Sequence, residues 1–521
     1  MFLCKIIVLM SQSVKYWIWS FFYAFLFLAV YGYFFNSSDL EEHLPFVYKL
    51  QNPTLYPGDY VTGYLFNIFS VRYYYTHTLF ILSHLIPLPQ LCFGIMIAAL
   101  AVFSYYYMNL SYLIFKDELT ALITPLTGLI FLNKITVGGN FVFDNMLTCS
   151  VFASALCMAA LFYFFNEKLK TGMLLCGIAT LYQPLIGIQV MMLMLITSFF
   201  LHRFNFRELI FGLLSYLVVA AFMLIPLFKR QFADTASPAD YYYYYILYVF
   251  RNPHHYIPSF FAAGDYIKNF FLILVTAILF FRKPTPYNRH LMILITCIIA
   301  GMFFYYLLFE KANMMVLGKL QWFKTSVWLT LFCGIYIAHF IAQQKFMQSV
   351  LPQTFLTYMA IILTVFLILA ITHSSLLPFK KLQSRYQIGD YVKSDLTLMH
   401  EWIKDSIPED KIILSFPQDD SFLCEAQHPT PVAWKAIIHE PWFLKKWHHD
   451  FVTLYHIQQP VEWIKSDQKQ LAEEGYNHFY SKQLMSAYHI AYRLDDITQS
   501  KVINHYSVVH QQGNYVLWRT E

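Results

Sequence analysis

Apolar blocks of about 20 residues recur along this chain as far as Thr372. Each is long enough to cross a hydrocarbon core of about 30 Å, where a backbone can satisfy its own hydrogen bonds only as a helix or a closed barrel. Composition agrees: 58% of the 521 residues are hydrophobic and 13% charged, with a mean hydropathy of +0.46, whereas soluble chains carry about 25% charge. The blocks read as spans near 14–35, 91–115, 119–137, 146–165, 173–184, 185–201, 209–228, 266–281, 290–309, 322–341 and 352–372. Beyond Pro378, Lys, Asp, Glu, Gln and His become frequent and no long apolar run remains. The fold class is therefore an α-helical polytopic membrane protein with about 11 transmembrane helices in residues 1–377 and a soluble α/β domain in 378–521.

Charge gives the orientation. With a cytoplasmic N-terminus, one set of connections holds Lys116, Lys168 with Lys170, Arg203 with Arg207, Arg282 with Lys283 and Arg289, and Lys345. The other set holds Asp39 to Glu42, Asp144, Asp234, Asp240 and Asp265. Short basic loops face the cytoplasm, so an odd span count makes the C-terminal domain extracytoplasmic. That parity depends on 173–201, which reads either as one long helix or, preferably, as a pair broken at Gln183 and Pro184. The first span is too long and too aromatic for a cleaved signal, and reads as an anchor. A net charge of +5 with no basic stripe gives no sign of a nucleic-acid partner. Tyrosines 241–245 suit a helix at the membrane interface. In the C-terminal domain, 390–406 suits a helix and 411–416 a buried strand; helical stretches follow Pro441 and surround 482–490, and the end turns as a hairpin at Gln512–Asn514. The residues of this domain suggest binding or bracing, with no chemistry of their own.

Candidate chemistry lies in the outer loops. The first reads NSSDLEEHLPFVYKLQNPTLYPGDYV and places Asp39, Glu41 and Glu42 within four residues at the membrane's outer face. Poor solvation there raises a carboxyl pKa, as a general base for a hydroxyl requires. Asp39 also reads as the N-cap of a helix over 40–51, with Glu42 completing a capping box and Leu40, Leu44 and Val47 facing the membrane surface. A fixed carboxylate can serve both roles. Asp144, in the second outer loop VGGNFVFDN, is a further catalytic candidate, or the N-cap of a helix starting at Asn145.

An acidic pair just past the first span, an interfacial helix and then Gly58-Asp59-Tyr60 resembles the first outer loop of the GT-C glycosyltransferases. The likeness is to the type represented by lipid A aminoarabinose transferases and protein O-mannosyltransferases, and IPEDKIILSFP with PVAWK is similar to the tail of an uncharacterised bacterial branch. Two features depart from the pattern. Leu40 follows the first acid where that type has a second one, and the second outer loop lacks D-x-D, which leaves a divalent metal open. The resemblance implies a multi-pass protein of a bacterial inner or plasma membrane that transfers sugar, with inversion, from a polyprenyl-phosphate donor to a glycan, lipid or protein acceptor. It requires a base, for which Asp39 is the first candidate, and cations near the departing phosphate.

The substrate-binding candidates are Asp59, Arg72, Lys134, Arg251, His254, His255, Lys319 and Lys324. Arg251 opens RNPHHY beside the two histidines, and Lys319 and Lys324 flank LQWF at the outer start of a span. Each cation also reads as a side chain reaching toward lipid headgroups. Two other classes stay open: a transporter or flippase for a lipid-linked or amphipathic solute, for which matching broken helices are not visible, and a non-catalytic assembly protein on the same scaffold.

Overall fold

A computed structural model describes residues 11–35, 38–66, 68–201, 204–233, 241–349, 353–372, 386–389, 393–435, 438–457, 468–502 and 507–520. Arg203, Asp234 and Asp240, used above for orientation, lie outside them. The chain divides into two compact units. One comprises Met1–Phe34, Cys92–Ile225 and His254–Tyr386; the other comprises Phe35–Leu91, Pro226–Pro253 and Gln387–Glu521.

The first unit is helical. Among the described residues, seven helices are long and apolar enough to cross a membrane: Gln12–Tyr31, Leu88–Phe115, Pro184–Leu201, Phe206–Arg230, Ala263–Arg282, Asn288–Lys311 and Met315–Ala342. Glu118–Phe131, Cys149–Phe165, Leu169–Tyr182 and Leu356–Leu369 are apolar but shorter. The block over 173–201 is a helix pair. Pro184 has no N–H to continue the ladder, Gln183 is extended, and the second helix folds back along the first. Their backbones come so close that a Cβ on Gly187 would lie 2.3 Å from Thr180 Oγ1, and one on Gly172 2.8 Å from Met194 Cε. The first helix, of 14 residues, rises only about 21 Å.

Small residues and hydroxyls hold the helices together, as expected where lipid removes the hydrophobic drive for helices to associate. Tyr107 passes between Gly128 and Gly334, where added Cβ atoms would fall 2.5 and 2.7 Å from its Oη. That hydroxyl donates to the Leu331 carbonyl at 2.6 Å. Thr127 donates to the Gly334 carbonyl at 3.0 Å, and Thr124 to Ser111 at 2.7 Å.

The second unit draws the loop after the first span, the 226–253 segment and the C-terminal part together. Its sheet consists of β1 (Ile412–Leu414), β2 (Ile490–Asp496), β3 (Ser507–Gln512) and β4 (Tyr515–Arg519), in the order β1-β2-β4-β3. β1 and β2 are parallel, and the other pairings are antiparallel. Met399 and Ile403 of helix Asp395–Ser406 pack with Ile413, Phe422, Leu494 and Leu517 in the core. The hairpin turns at Gly513, whose φ of +54° suits glycine. Two expectations are corrected. The stretch 482–490 is helical only as far as Ala487, after which β2 runs through the sheet, because Ile490, Tyr492 and Leu494 alternate on one buried face. The tyrosine run is partly internal rather than lipid-facing: Tyr243 and Tyr244 are buried, and Tyr242 Oη lies 2.8 Å from His448 Nδ1.

Candidate active site

Local sequence sets the position of the acidic residues. Pro45 belongs in a first helical turn, since it lacks the N–H an interior position must donate. The helix accordingly runs Leu44–Gln51, preceded by a short turn at Ser38–Leu40. His43 occupies the N-cap position, so Asp39 does not cap this helix as the sequence suggested. Leu40, Leu44 and Val47 are also fully buried within the unit rather than turned toward lipid. Asp39 is 63% exposed and pairs with Lys435 at 3.3 Å.

Glu42 points inward and gathers two guanidinium groups. Arg72 Nη2 lies 2.7 Å from Glu42 Oε2, and Arg251 Nη2 lies 3.8 Å from Oε1. Arg72 stands at the N-terminal end of helix Tyr73–Ser83, and Arg251 ends the π-helical turn Tyr245–Arg251. Arg251 is buried and multiply held. Its Nε donates to the Trp434 carbonyl at 3.1 Å, its Nη1 donates to Asn252 Oδ1 at 3.1 Å, and its guanidinium sits 4.4 Å from the Trp434 ring centroid. Burial raises the Glu42 carboxyl, with Arg72 and Arg251 pulling back. Burial likewise lowers Arg251, with Glu42 opposing. His43 is held neutral: burial, aided by Arg72, pushes it down to about 3. Glu41 is strongly perturbed as well. Burial first, then the negative charges of Asp420, Asp419 and Glu425, raise it to about 8, against the pull of Lys435.

The C-terminal part supplies Trp434, Lys435 and the acids around Asp420. A cavity of about 20 Å³ is lined by Ser415, Asp419, Asp420, Trp434 and Tyr455 among others, room for about one water. Behind it, His400 is fully buried between two carboxylates, with Nε2 3.0 Å from Asp419 and Nδ1 2.8 Å from Glu425. Ser415 donates to Asp419 at 2.5 Å. Burial lowers the imidazole, but the carboxylates outweigh it and raise it to about 9. Sequence reasoning missed this contribution. The available signals were Asp419-Asp420 just past β1 and the Trp434-Lys435 pair, and nothing in their spacing ties them to a loop nearly 400 residues earlier.

The remaining candidates fall in several places. Asp59 is buried, taking the Thr62 N–H at 2.7 Å and hydroxyl at 2.8 Å on one oxygen, and the Thr430 N–H at 3.2 Å on the other. It starts helix Tyr60–Phe66 and ties the loop to the C-terminal part. In the first unit, Asp144 Oδ2 accepts from the hydroxyls of Thr148 and Ser150 at 3.2 and 3.3 Å. The helix there begins at Cys149 rather than Asn145, with Thr148 in the cap position. Lys134 is exposed, 5.8 Å from the Tyr31 ring centroid and 5.7 Å from that of Phe141. His254 and His255, with ring centroids 4.1 Å apart, pack against the Gly138-Gly139 turn, and His255 Nδ1 lies 3.4 Å from the Gly138 carbonyl. Lys319 and Lys324 sit in the 3₁₀ turns Met315–Leu320 and Trp322–Thr325. The structure thus brings Asp39, Glu41, Glu42, Arg72 and Arg251 together in one unit, while Asp144, Lys134, His254, His255, Lys319 and Lys324 belong to the other. Among the described residues no group of three or more His, Cys, Asp or Glu side chains is arranged to hold a metal ion.

Residues 394–452 match a family described as a domain of unknown function, DUF6798. That segment carries His400, Asp419, Asp420, Glu425, Trp434 and Lys435. No curated protein matches the chain. Among solved structures, the chain is similar to the apo form of the Archaeoglobus fulgidus oligosaccharyltransferase, at 11% identity and a TM-score of 0.40, over 94% of this chain and 70% of that one.

Proposed function

We propose that this chain is a membrane glycosyltransferase that moves a sugar from a polyprenyl-phosphate-linked donor to an acceptor hydroxyl at the extracytoplasmic face. The observation that carries the reading is the cluster in the second unit. It combines a carboxyl raised to about 8, Glu41, with two guanidinium groups held around Glu42. A carboxyl in that range suits removal of a hydroxyl proton near neutral pH. Buried guanidinium groups are weakly screened and suit a phosphate that gains charge as it departs.

In this mechanism the acceptor oxygen attacks the anomeric carbon. Its proton passes to Glu41, or to Asp39 beside it, and the bond to the lipid phosphate breaks with its electron pair remaining on the phosphate oxygen. Glu42 acts as the brace that keeps Arg72 and Arg251 in place. Asp144, Lys134, His254, His255, Lys319 and Lys324 are proposed as contributors from the first unit, and Asp59 as a strut. The acceptor is a glycan, a lipid or a protein, and the second unit lies outside the cytoplasm.

The test uses the purified full chain in lipid nanodiscs, supplied with polyprenyl-phosphate-linked sugars of several kinds and candidate acceptors, with and without EDTA. Release of polyprenyl phosphate together with a glycosylated product, lost in Glu41→Gln, supports the reading. In proteoliposomes, donor that moves between leaflets uncleaved would replace it with the flippase reading. Donor that is bound but neither cleaved nor moved would favour the non-catalytic one.

A further inference from the structure

The sequence pointed to residues 40–51 as the segment lying on the membrane, and the structure buries that segment's apolar face. A different stretch of the same loop leaves apolar side chains uncovered. On helix Tyr73–Ser83 and the turns flanking it, Tyr75, Thr76 and Leu79 face inward, while Val71, Tyr73, Ile81, Leu85 and Ile86 stand open. Ile81 is 62% exposed and Leu85 80%. Tyr73, His77 and Ile81 follow one another four residues apart, which aligns them along one helical face, and Leu85 stands in the turn just beyond.

Chain continuity indicates what covers this face. Ile86 is two residues from the start of helix Leu88–Phe115, whose length and hydropathy suit a membrane crossing. A segment that close to the mouth of a span sits at the level of the lipid headgroups. There tyrosine and histidine can keep polar atoms wet while isoleucine and leucine enter the acyl boundary. We propose that the outward face of residues 71–86 is a lipid-anchoring surface, seated in the interfacial layer of the bilayer. Arg72 immediately precedes the helix and pairs with Glu42, so the anchor joins directly onto the guanidinium–carboxylate cluster. This inference does not depend on the transfer chemistry.

The test places single cysteines at Ile81 and Leu85, with one at exposed Gln511 on the hairpin as control, and labels each with an environment-sensitive fluorophore. The full chain is reconstituted into phosphatidylcholine–phosphatidylglycerol vesicles containing lipids spin-labelled either at the headgroup end or deep in the acyl chain. The unsubstituted chain gives the labelling background from native thiols. Loss of most of the signal at both positions with the shallow quencher, less loss with the deep one, and little with either at Gln511 is the expected pattern. Quenching by aqueous iodide in place of the lipid labels overturns the proposal. So does self-quenching that grows with protein density, which would mean a second copy covers the face. Tryptophan at the same positions, read by its emission maximum, repeats the measurement if a labelled variant fails to assemble.

Discussion

His400 gives the sharpest quantitative expectation. It is fully buried between Asp419 and Glu425 and raised from 6.5 to about 9. Because its folded pKa exceeds the unfolded one, its charge contributes stability that is fully present below pH 6.5. That contribution is lost as pH rises through 9. A shift of that size corresponds to roughly 3 kcal/mol. For a unit of a few hundred residues this is about 6–12 °C in Tm. His400→Gln keeps an amide donor but removes the cation, leaving two buried carboxylates facing a neutral group. Differential scanning fluorimetry of the purified full chain in detergent should therefore show a large deficit for the variant at pH 6. The deficit should shrink by most of that amount at pH 10. Taking the difference between the two proteins removes other groups that titrate in the window, Glu41 among them. A deficit of equal size at both pH values would mean that shape, rather than charge, fixes the imidazole.

If Glu41 is the base, kcat/KM should climb as pH rises through about 8, the value its burial and acidic neighbours set. Glu41→Gln should then abolish transfer at every pH, whereas Asp39→Asn, altering the exposed partner of the ion pair with Lys435, should change stability by less than about 1 kcal/mol; an inactive but folded Asp39→Asn would move the role there. Arg251→Ala should weaken donor binding and transfer, and Arg251→Lys should recover only part, since an ammonium lacks the fork that reaches several acceptors; unchanged donor affinity in both would remove Arg251 from the donor site. Gly128→Leu should lower stability by at least about 1–3 kcal/mol through overpacking, because Tyr107 already occupies the space a Cβ needs, and a thermal melt reads it. A thiol at Gln511 should react with an impermeant reagent in intact cells; labelling only after lysis would reverse the orientation.

Helix positions were legible because hydropathy over about 20 residues is a local property, as was the break at Gln183 and Pro184, where the missing N–H decides the matter. The hairpin at Gly513 was legible for the same reason. The site was only half legible. Asp39, Glu41 and Glu42 stood out as acids next to a span, but which of them faces inward depends on Pro45, whose place in the first turn moves the helix start to Leu44. Arg72 and Arg251 were two among five candidate cations, with Lys134, Lys319 and Lys324, until Glu42 brought them together. Trp434, Lys435 and Asp420 reach the loop through tertiary packing, and no periodicity within 394–452 encodes that. The helical stretch at 482–490 was carried three residues too far and the strand Ile490–Asp496 was not read at all, because helical and strand patterns overlap over so short an apolar run.

The ties between the first loop and the C-terminal part also bear on how the chain is made. Tyr56 donates to the Leu423 carbonyl across 367 residues, and Asp59 accepts from Thr430 across 371. At about 5–20 residues per second, synthesis separates such partners by roughly 20–70 s. Throughout that interval the loop has emerged beside the bilayer with Asp59 lacking Thr430, and for roughly the first 10–40 s of it Glu42 also lacks Arg251. The first loop of newly made protein therefore stays incomplete until the C-terminal part is made, and a ribosome stalled before residue 423 leaves it so.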